Sequence, residues 1–152
     1  QKVKDYFKAK GLSKQAVAGI MGNIQAESGF NPEKLNPKDS NGLQSYGLIQ
    51  WNANTASKSD VGTTVESQLA YLVVFGGRYK NYLNEIIKIS KTRIVDAAEA
   101  AYWFAYYVEI CGGCTGTYSE FLKKNNNNTK VRSEYANNFN KRFNTDGDLL
   151  KW

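Results

Sequence analysis

Apolar stripes at helical spacing, separated by short polar breaks, predict a succession of helices along the chain. Val3, Tyr6, Phe7 and Lys10 outline a short first helix that stops before Gly11. Ser13 carries the hydroxyl that an N-cap requires, and Val17, Ile20, Met21 and Ile24 form one apolar face behind it. A second helix is therefore predicted, ending near Ser28 and Gly29. Gly19 and Gly22 interrupt it at a propensity cost of about 1 kcal/mol each, which is understandable if another backbone packs closely there. From Asn31 to Asn54 the pattern changes. Pro32, Asn36, Pro37, Asp39, Asn41, Gly42 and Gly47 favour turns, and Asn41-Gly42 is a hairpin signal with short strands expected on either side. A loop is expected through Gly62, followed by a capping box of Thr63 and Glu66 before Leu69, Leu72, Val73 and Phe75. Further helices are predicted over Tyr79–Ser90, Val95–Ile110 and Val131–Phe143, the last with Val131, Tyr135, Phe139 and Phe143 as its core stripe. Asn125–Asn128 reads as a polar surface loop. The pattern as a whole is that of an α+β fold, mainly helical.

Composition narrows the chemistry. With 152 residues, 41% of them hydrophobic, the chain is expected to form a single globular domain over residues 1–152 with a core of its own. It has no histidine, which excludes Ser-His-Asp and Cys-His nucleophile systems, His-bearing zinc sites and imidazole acid–base catalysis. A general acid or base must then be a carboxylate, Lys or Tyr. No cofactor and no metal are expected. Twenty Lys and Arg against 14 Asp and Glu give a formal charge of +6, which draws the protein to polyanions. The basic residues are spread along the chain rather than clustered with aromatics, which argues against nucleic acid and leaves acidic membranes and anionic cell-wall polymers open as partners. The longest apolar stretch, Ala97–Ile110, is broken by Glu99 and Glu109 and is shorter than the roughly 20 residues a bilayer requires, so no membrane span is expected. A start at Gln1 without a signal core suggests a domain excised from a longer protein, or a processed product.

Cys111 and Cys114 stand in the run CGGC and, without another Cys or His, cannot complete a four-ligand zinc site. A loop disulfide, two free thiols and a redox pair all fit this spacing. The preceding helical segment and the flanking glycines favour the disulfide, and with it an extracellular or virion-surface location.

Among the carboxylates, Glu27 falls near the end of the second helix at the edge of its apolar stripe. Partial desolvation and the negative end of the helix dipole would both raise its pKa, as a general acid near neutral pH requires. The run GNIQAESGFNP (Gly22 to Pro32), followed by SYGLIQW (Ser45 to Trp51), resembles the lysozyme-like superfamily and is similar to lytic transglycosylases. The aliphatic Gly-Asn run before Glu-Ser and the Trp after the Gln look most like the phage tail lysozyme family. The later FAYYVEICGG resembles that family's helix ending in an aromatic-Tyr-Glu-x-Pro pattern, although Val108 stands before Glu109 and the Pro is missing.

The resemblance implies a lysozyme-like fold with a small β-hairpin region beside the catalytic helix. It makes Glu27 the acid that protonates the glycosidic oxygen, and it sets Ser45, Tyr46 and Gln50 along the glycan cleft. Glu109 is then expected to be a structural carboxylate that bonds backbone amides or supports Glu27. Trp51 is expected to anchor the core rather than stack on sugar. Asp39 is the best-placed second carboxylate by sequence. The implied activity is a muramidase that hydrolyses the bond between N-acetylmuramic acid and N-acetylglucosamine in peptidoglycan, acting at the cell wall or from a virion tail or conjugation apparatus. Glycan strands, anionic wall polymers and further domains of a parent protein are the expected partners. Two alternatives stay open: a lytic transglycosylase, in which the sugar's C6 hydroxyl attacks and leaves an anhydro product, and a wall-binding module without catalysis.

Overall fold

The computed structural model describes residues 1–110, 117–120 and 127–152, with nothing of the side chains at 127 and 128. The CGGC run lies outside the described residues. The element order is α1 (Lys2–Ala9), α2 (Lys14–Ser28), β1 (Leu35–Asn36), β2 (Ser45–Tyr46), β3 (Trp51–Asn52), α3 (Lys58–Val61), α4 (Val65–Val74), a 3₁₀ turn (Phe75–Gly77), α5 (Arg78–Ser90), α6 (Ala97–Phe104) continued by a π-helical turn (Ala105–Glu109), and α7 (Asn127–Phe143). The fold is mainly helical α+β with one small antiparallel sheet in the order β1-β2-β3, matching the lysozyme-like expectation.

Helix α2 is the axis of the molecule, packed between α6 and α7. Ser13 caps it, its hydroxyl accepting from the Ala16 N–H at 3.3 Å, and Gly29 ends it in a left-handed conformation at φ 61°. The two internal glycines account for the close packing. A Cβ on Gly19 would lie 2.6 Å from the Ala101 nitrogen of α6, and one on Gly22 would lie 2.6 Å from the Arg132 carbonyl oxygen of α7. Each glycine therefore admits one neighbouring backbone, and α2 stays buried along nearly its whole length from Ala16 to Ile24. Between them Asn23, fully buried, ties the layers: its Nδ2 donates to the carbonyls of Gly19 and Ala101, both at 2.9 Å. A buried amide satisfied in this way fixes the register of α6 on α2.

Helix α6 begins at Asp96, whose carboxylate accepts from the Glu99 N–H at 2.7 Å. Glu99 is itself buried and takes a two-pronged bond from Arg93 at 2.6 and 2.8 Å.

The three strands are two residues long each, paired Leu35–Tyr46 and Asn36–Ser45, then Ser45–Asn52 and Tyr46–Trp51. So few ladder bonds would not hold a hairpin in water, and the fold supplies other anchors. Trp51 is buried at the edges of Tyr71 and Phe75, with ring centroids 5.2 and 5.1 Å away, and so is a core anchor. Gln68 of α4, 1% exposed, accepts from the Leu48 N–H at 2.7 Å and donates to the carbonyls of Pro32 (2.6 Å) and Gly62 (3.0 Å).

Several local expectations are corrected. The cap of α4 is Thr64 rather than Thr63: its hydroxyl accepts from Ser67 N–H at 3.1 Å while Ser67 Oγ accepts from Thr64 N–H at 3.2 Å. Glu66 instead pairs with Lys2 at 2.8 Å. The expected loop before Gly62 contains α3, capped by Ser57 and Asp60. Of the polar Asn run, Asn127 and Asn128 already belong to α7, which starts before Val131, while Asn125 and Asn126 lie outside the described residues. On α7 the buried positions are Thr129, Arg132, Ala136, Phe139 and Phe143, whereas Val131 is 39% exposed and Tyr135 half-buried. A strict four-residue step advances about 400° and drifts off a 3.6-residue face, while steps alternating between three and four stay on it.

Among the described residues no helix is long and apolar enough to cross a membrane.

Candidate active site

An open cleft of about 620 Å³ lies between the end of α2, the hairpin region and the π-helical turn. Glu27, Asp39, Gln50 and Glu109 all line it, together with Asn41, Asn52, Asn54, Thr55, Arg78 and Arg132. The amides and hydroxyl along this surface are the groups that sugar hydroxyls and N-acetyl groups bond to. Among the described residues no cluster of acidic or Cys side chains is arranged to hold a metal ion.

Glu27 enters from the last turn of α2, its side chain 21% exposed. Its carboxylate receives a hydrogen bond from Arg132 Nη2, and its main-chain carbonyl accepts from Lys34 Nζ at 2.7 Å. The same guanidinium reaches two more groups, with Nη1 donating to Glu109 Oε2 at 2.6 Å and to Asn23 Oδ1 at 3.1 Å. Arg132 is 5% exposed, so its charge is compensated from α2 and the π-turn at once. Burial alone disfavours that charge, but the two carboxylates outweigh it and push the guanidinium pKa further up.

Glu109 ends the π-helical turn with its side chain 6% exposed. The turn accommodates one extra residue per hydrogen-bonded ring and rotates the last side chains relative to α6. Ile110 then adopts φ 53°, a conformation that costs a β-branched residue dearly and that stops the helix at the cleft edge. Burial pushes the Glu109 carboxyl well above the usual carboxylate range. Arg132 works against that shift, and the charge of Glu27 adds to it. No backbone amide is among the hydrogen-bond donors described for Glu109, and its Oε1 is buried without a hydrogen-bond partner among the described residues.

Asp39 approaches from the hairpin. Ser45 Oγ donates to its Oδ2 at 2.5 Å and the Ser40 N–H donates to Oδ1 at 2.7 Å. These bonds hold the Asp39 carboxyl below its usual value, Asn52 adding a smaller contribution in the same direction. Asn52 in turn exchanges two amide bonds with Asn41, at 3.0 and 3.1 Å.

The remaining residues expected along the cleft divide. Gln50 lines it, with a left-handed backbone at φ 53° and its Nε2 donating to the Gly47 carbonyl at 2.9 Å and that of Lys34 at 3.1 Å. Ser45 is fully buried, and its hydroxyl is spent on Asp39. Tyr46, its neighbour on β2, necessarily faces the other side of the sheet. It lines a separate depression with Lys58 Nζ 5.3 Å above its ring. Neither Ser45 nor Tyr46 is part of the cleft lining.

Arg132, Asn23 and Arg78 were not singled out in the sequence. Arg78 donates to the Val108 carbonyl at 3.2 Å and so braces the π-turn. The signal for Arg132 was its place on the Thr129, Ala136, Phe139, Phe143 face of α7 rather than on the exposed one.

The mainly helical fold with a small antiparallel sheet is the one that the motifs implied. The sequence profile of phage tail lysozymes matches residues 1–143. The chain thus belongs to the phage tail lysozyme family, and with it to a lysozyme-like, peptidoglycan-cleaving role associated with the virion or the cell wall.

Proposed function

We propose that this protein is a muramidase that hydrolyses the bond between N-acetylmuramic acid and N-acetylglucosamine, with Glu27 as the general acid. The observation that carries the reading is that one cleft receives carboxylates in different settings, Glu27 beside the buried Glu109 on the helical side and Asp39 on the hairpin. Hydrolysis of a glycoside needs such a pair, one group to protonate the leaving oxygen and one anion to activate water or stabilise the positive sugar. Asp39 suits the second role because its bonds from Ser45 and Ser40 favour the ionised form. Ser45 then acts through Asp39 as a positioning residue, and Gln50 is a cleft-wall amide for the glycan. The charge of +6 draws the protein to anionic wall polymers, an attraction that weakens as salt rises.

Mass spectrometry of soluble fragments from purified peptidoglycan tests this. Fragments ending in reducing sugars are expected, and Asp39→Asn should lower their yield by about 10²-fold or more. Products lighter by one water, released equally well by Asp39→Asn, would instead assign the anhydro route, which needs no second carboxylate.

A further inference from the structure

We infer that Glu27, Arg132 and Glu109 work as one charge-sharing unit, in which Glu109 and Arg132 are positioning residues that allow Glu27 to carry the proton it donates. The inference rests on the functional reading of Glu27 above and adds how that residue is kept competent. Its basis is the geometry of a single buried guanidinium bonded to both carboxylates, through Nη2 to Glu27 and through Nη1 to Glu109.

Arg132 is charged in every relevant state and 5% exposed, so it requires one anionic partner at all times. If both carboxylates were ionised, the buried cluster would hold one surplus negative charge. If both were protonated, the guanidinium would stand uncompensated. The favoured composition is therefore one proton on two carboxyls, and it has two arrangements of equal net charge. In one, Glu109 is neutral and Glu27 is the anion. In the other, Glu27 is neutral and Glu109 takes over the ion pair. Only the second can protonate a glycosidic oxygen.

Burial of Glu109, with its Oε1 free of any described partner, favours the first arrangement at rest. The proton passes from Glu109 to the neighbouring Glu27 carboxyl, leaving Glu109 ionised and Glu27 neutral. When Glu27 gives that proton to the leaving sugar it becomes the anion that Arg132 already touches, and reprotonation of Glu109 resets the unit.

The other charged groups around the cluster do not replace Glu109. Lys34 bonds the main-chain carbonyl of Glu27, and Arg78 bonds the carbonyl of Val108. Asp39 lines the same cleft, and its carboxylate is engaged by Ser45 and Ser40.

The test combines a pH–rate profile with a titration. In Glu109→Gln, Arg132 has Glu27 as its remaining anionic partner and holds it ionised. Cleavage at neutral pH should then fall at least tenfold, and the alkaline limb of the profile should move to lower pH. Removing both charges, in Glu109→Gln with Arg132→Gln, should move the limb back. A Glu109→Gln profile that coincides with that of the unmodified protein would overturn the proposal.

Because these variants can lose the fold, the unmodified protein is also titrated with ¹³C-labelled glutamate carboxyls. Both the Glu27 and Glu109 signals should report the same two coupled steps, and Glu27→Gln should change the Glu109 curve. A Glu109 curve indifferent to Glu27→Gln would refute the sharing. This readout requires no cleavage, so coupled titration in a protein that releases nothing from peptidoglycan would count against the muramidase reading and leave the charge sharing standing.

Discussion

Replacing Glu27 by Gln is expected to lower the release of soluble muropeptides by about 10³-fold while leaving the melting temperature close to that of the unmodified protein. The activity loss follows from chemistry: an amide cannot protonate the glycosidic oxygen, and a positioned proton donor contributes about 10²–10⁴-fold. Retention of the fold follows from the surroundings. The Gln carbonyl can still accept from Arg132, and Glu109, 2.6 Å from the same guanidinium, remains to balance its charge. Losing one carboxylate from the cluster therefore does not strand a buried cation, which would otherwise cost about 3–5 kcal/mol. Product mass spectra and a thermal melt of the same preparation check both halves. Equal muropeptide release by the variant would remove Glu27 from the reaction.

The second large effect is expected from Gly22→Ala, which acts on the scaffold and the site together. Alanine gains about 1 kcal/mol of helix propensity over glycine. Against that, the new methyl would sit 2.6 Å from the Arg132 carbonyl oxygen and 2.8 Å from the Ala136 nitrogen. Both are main-chain atoms of α7, so relief requires the helix to move rather than a side chain to turn. Overpacking of this kind costs about 1–3 kcal/mol, and here the contact is with rigid backbone, so the clash outweighs the propensity gain. A net loss of about 1–2 kcal/mol lowers Tm by about 2–4 °C for each kcal/mol in a domain of this size. Because Arg132 rides on the displaced turn, cleavage per folded molecule should fall as well, by at least tenfold. A variant with unchanged Tm and activity would mean that α7 yields there at no cost.

Much of this was legible in the chain before the structure. Ser13 and Gly29 marked the ends of α2 because capping is a local property of one side chain and one backbone angle. Gly19 and Gly22 pointed to close backbone approach because nothing local repays a glycine inside a helix. Asn41-Gly42 located the hairpin for the same kind of reason: the turn needs those residues and few others supply it.

What escaped was non-local. Arg132 looks like one more solvated cation of a basic protein until α2 and the π-turn converge on it, and the apolar residues Val131 and Tyr135 beside it suggested a different inward face for α7. Asn23 and Gln68 are amides whose importance lies wholly in which carbonyls and amide hydrogens the tertiary fold brings to them. Ser45 and Tyr46 came with a motif, and the alternation of a strand sent one inward to Asp39 and the other to the far face of the sheet. The π-turn that delivers Glu109 has no sequence signature of the kind capping residues provide.

Gln68 has a consequence for how the enzyme responds to heat. Together with Tyr71, which packs on Trp51, it ties α4 to the strand region, bonding the backbone at Leu48, Pro32 and Gly62, whereas Glu27 belongs to the buried helical axis. The two carboxylates thus sit on parts of the molecule with unequal local stability: two-residue strands open far more readily than a helix packed on both sides. Warming should detach the Asp39 wall in a sub-global opening while the helices persist, so inactivation precedes the cooperative melt and reverses on cooling. Amide hydrogens of the strand segment would exchange early and those of α2 last. The thermal limit of catalysis in this fold is then set by the hold of Gln68 and the Trp51 packing on the strands, below the temperature at which the core gives way.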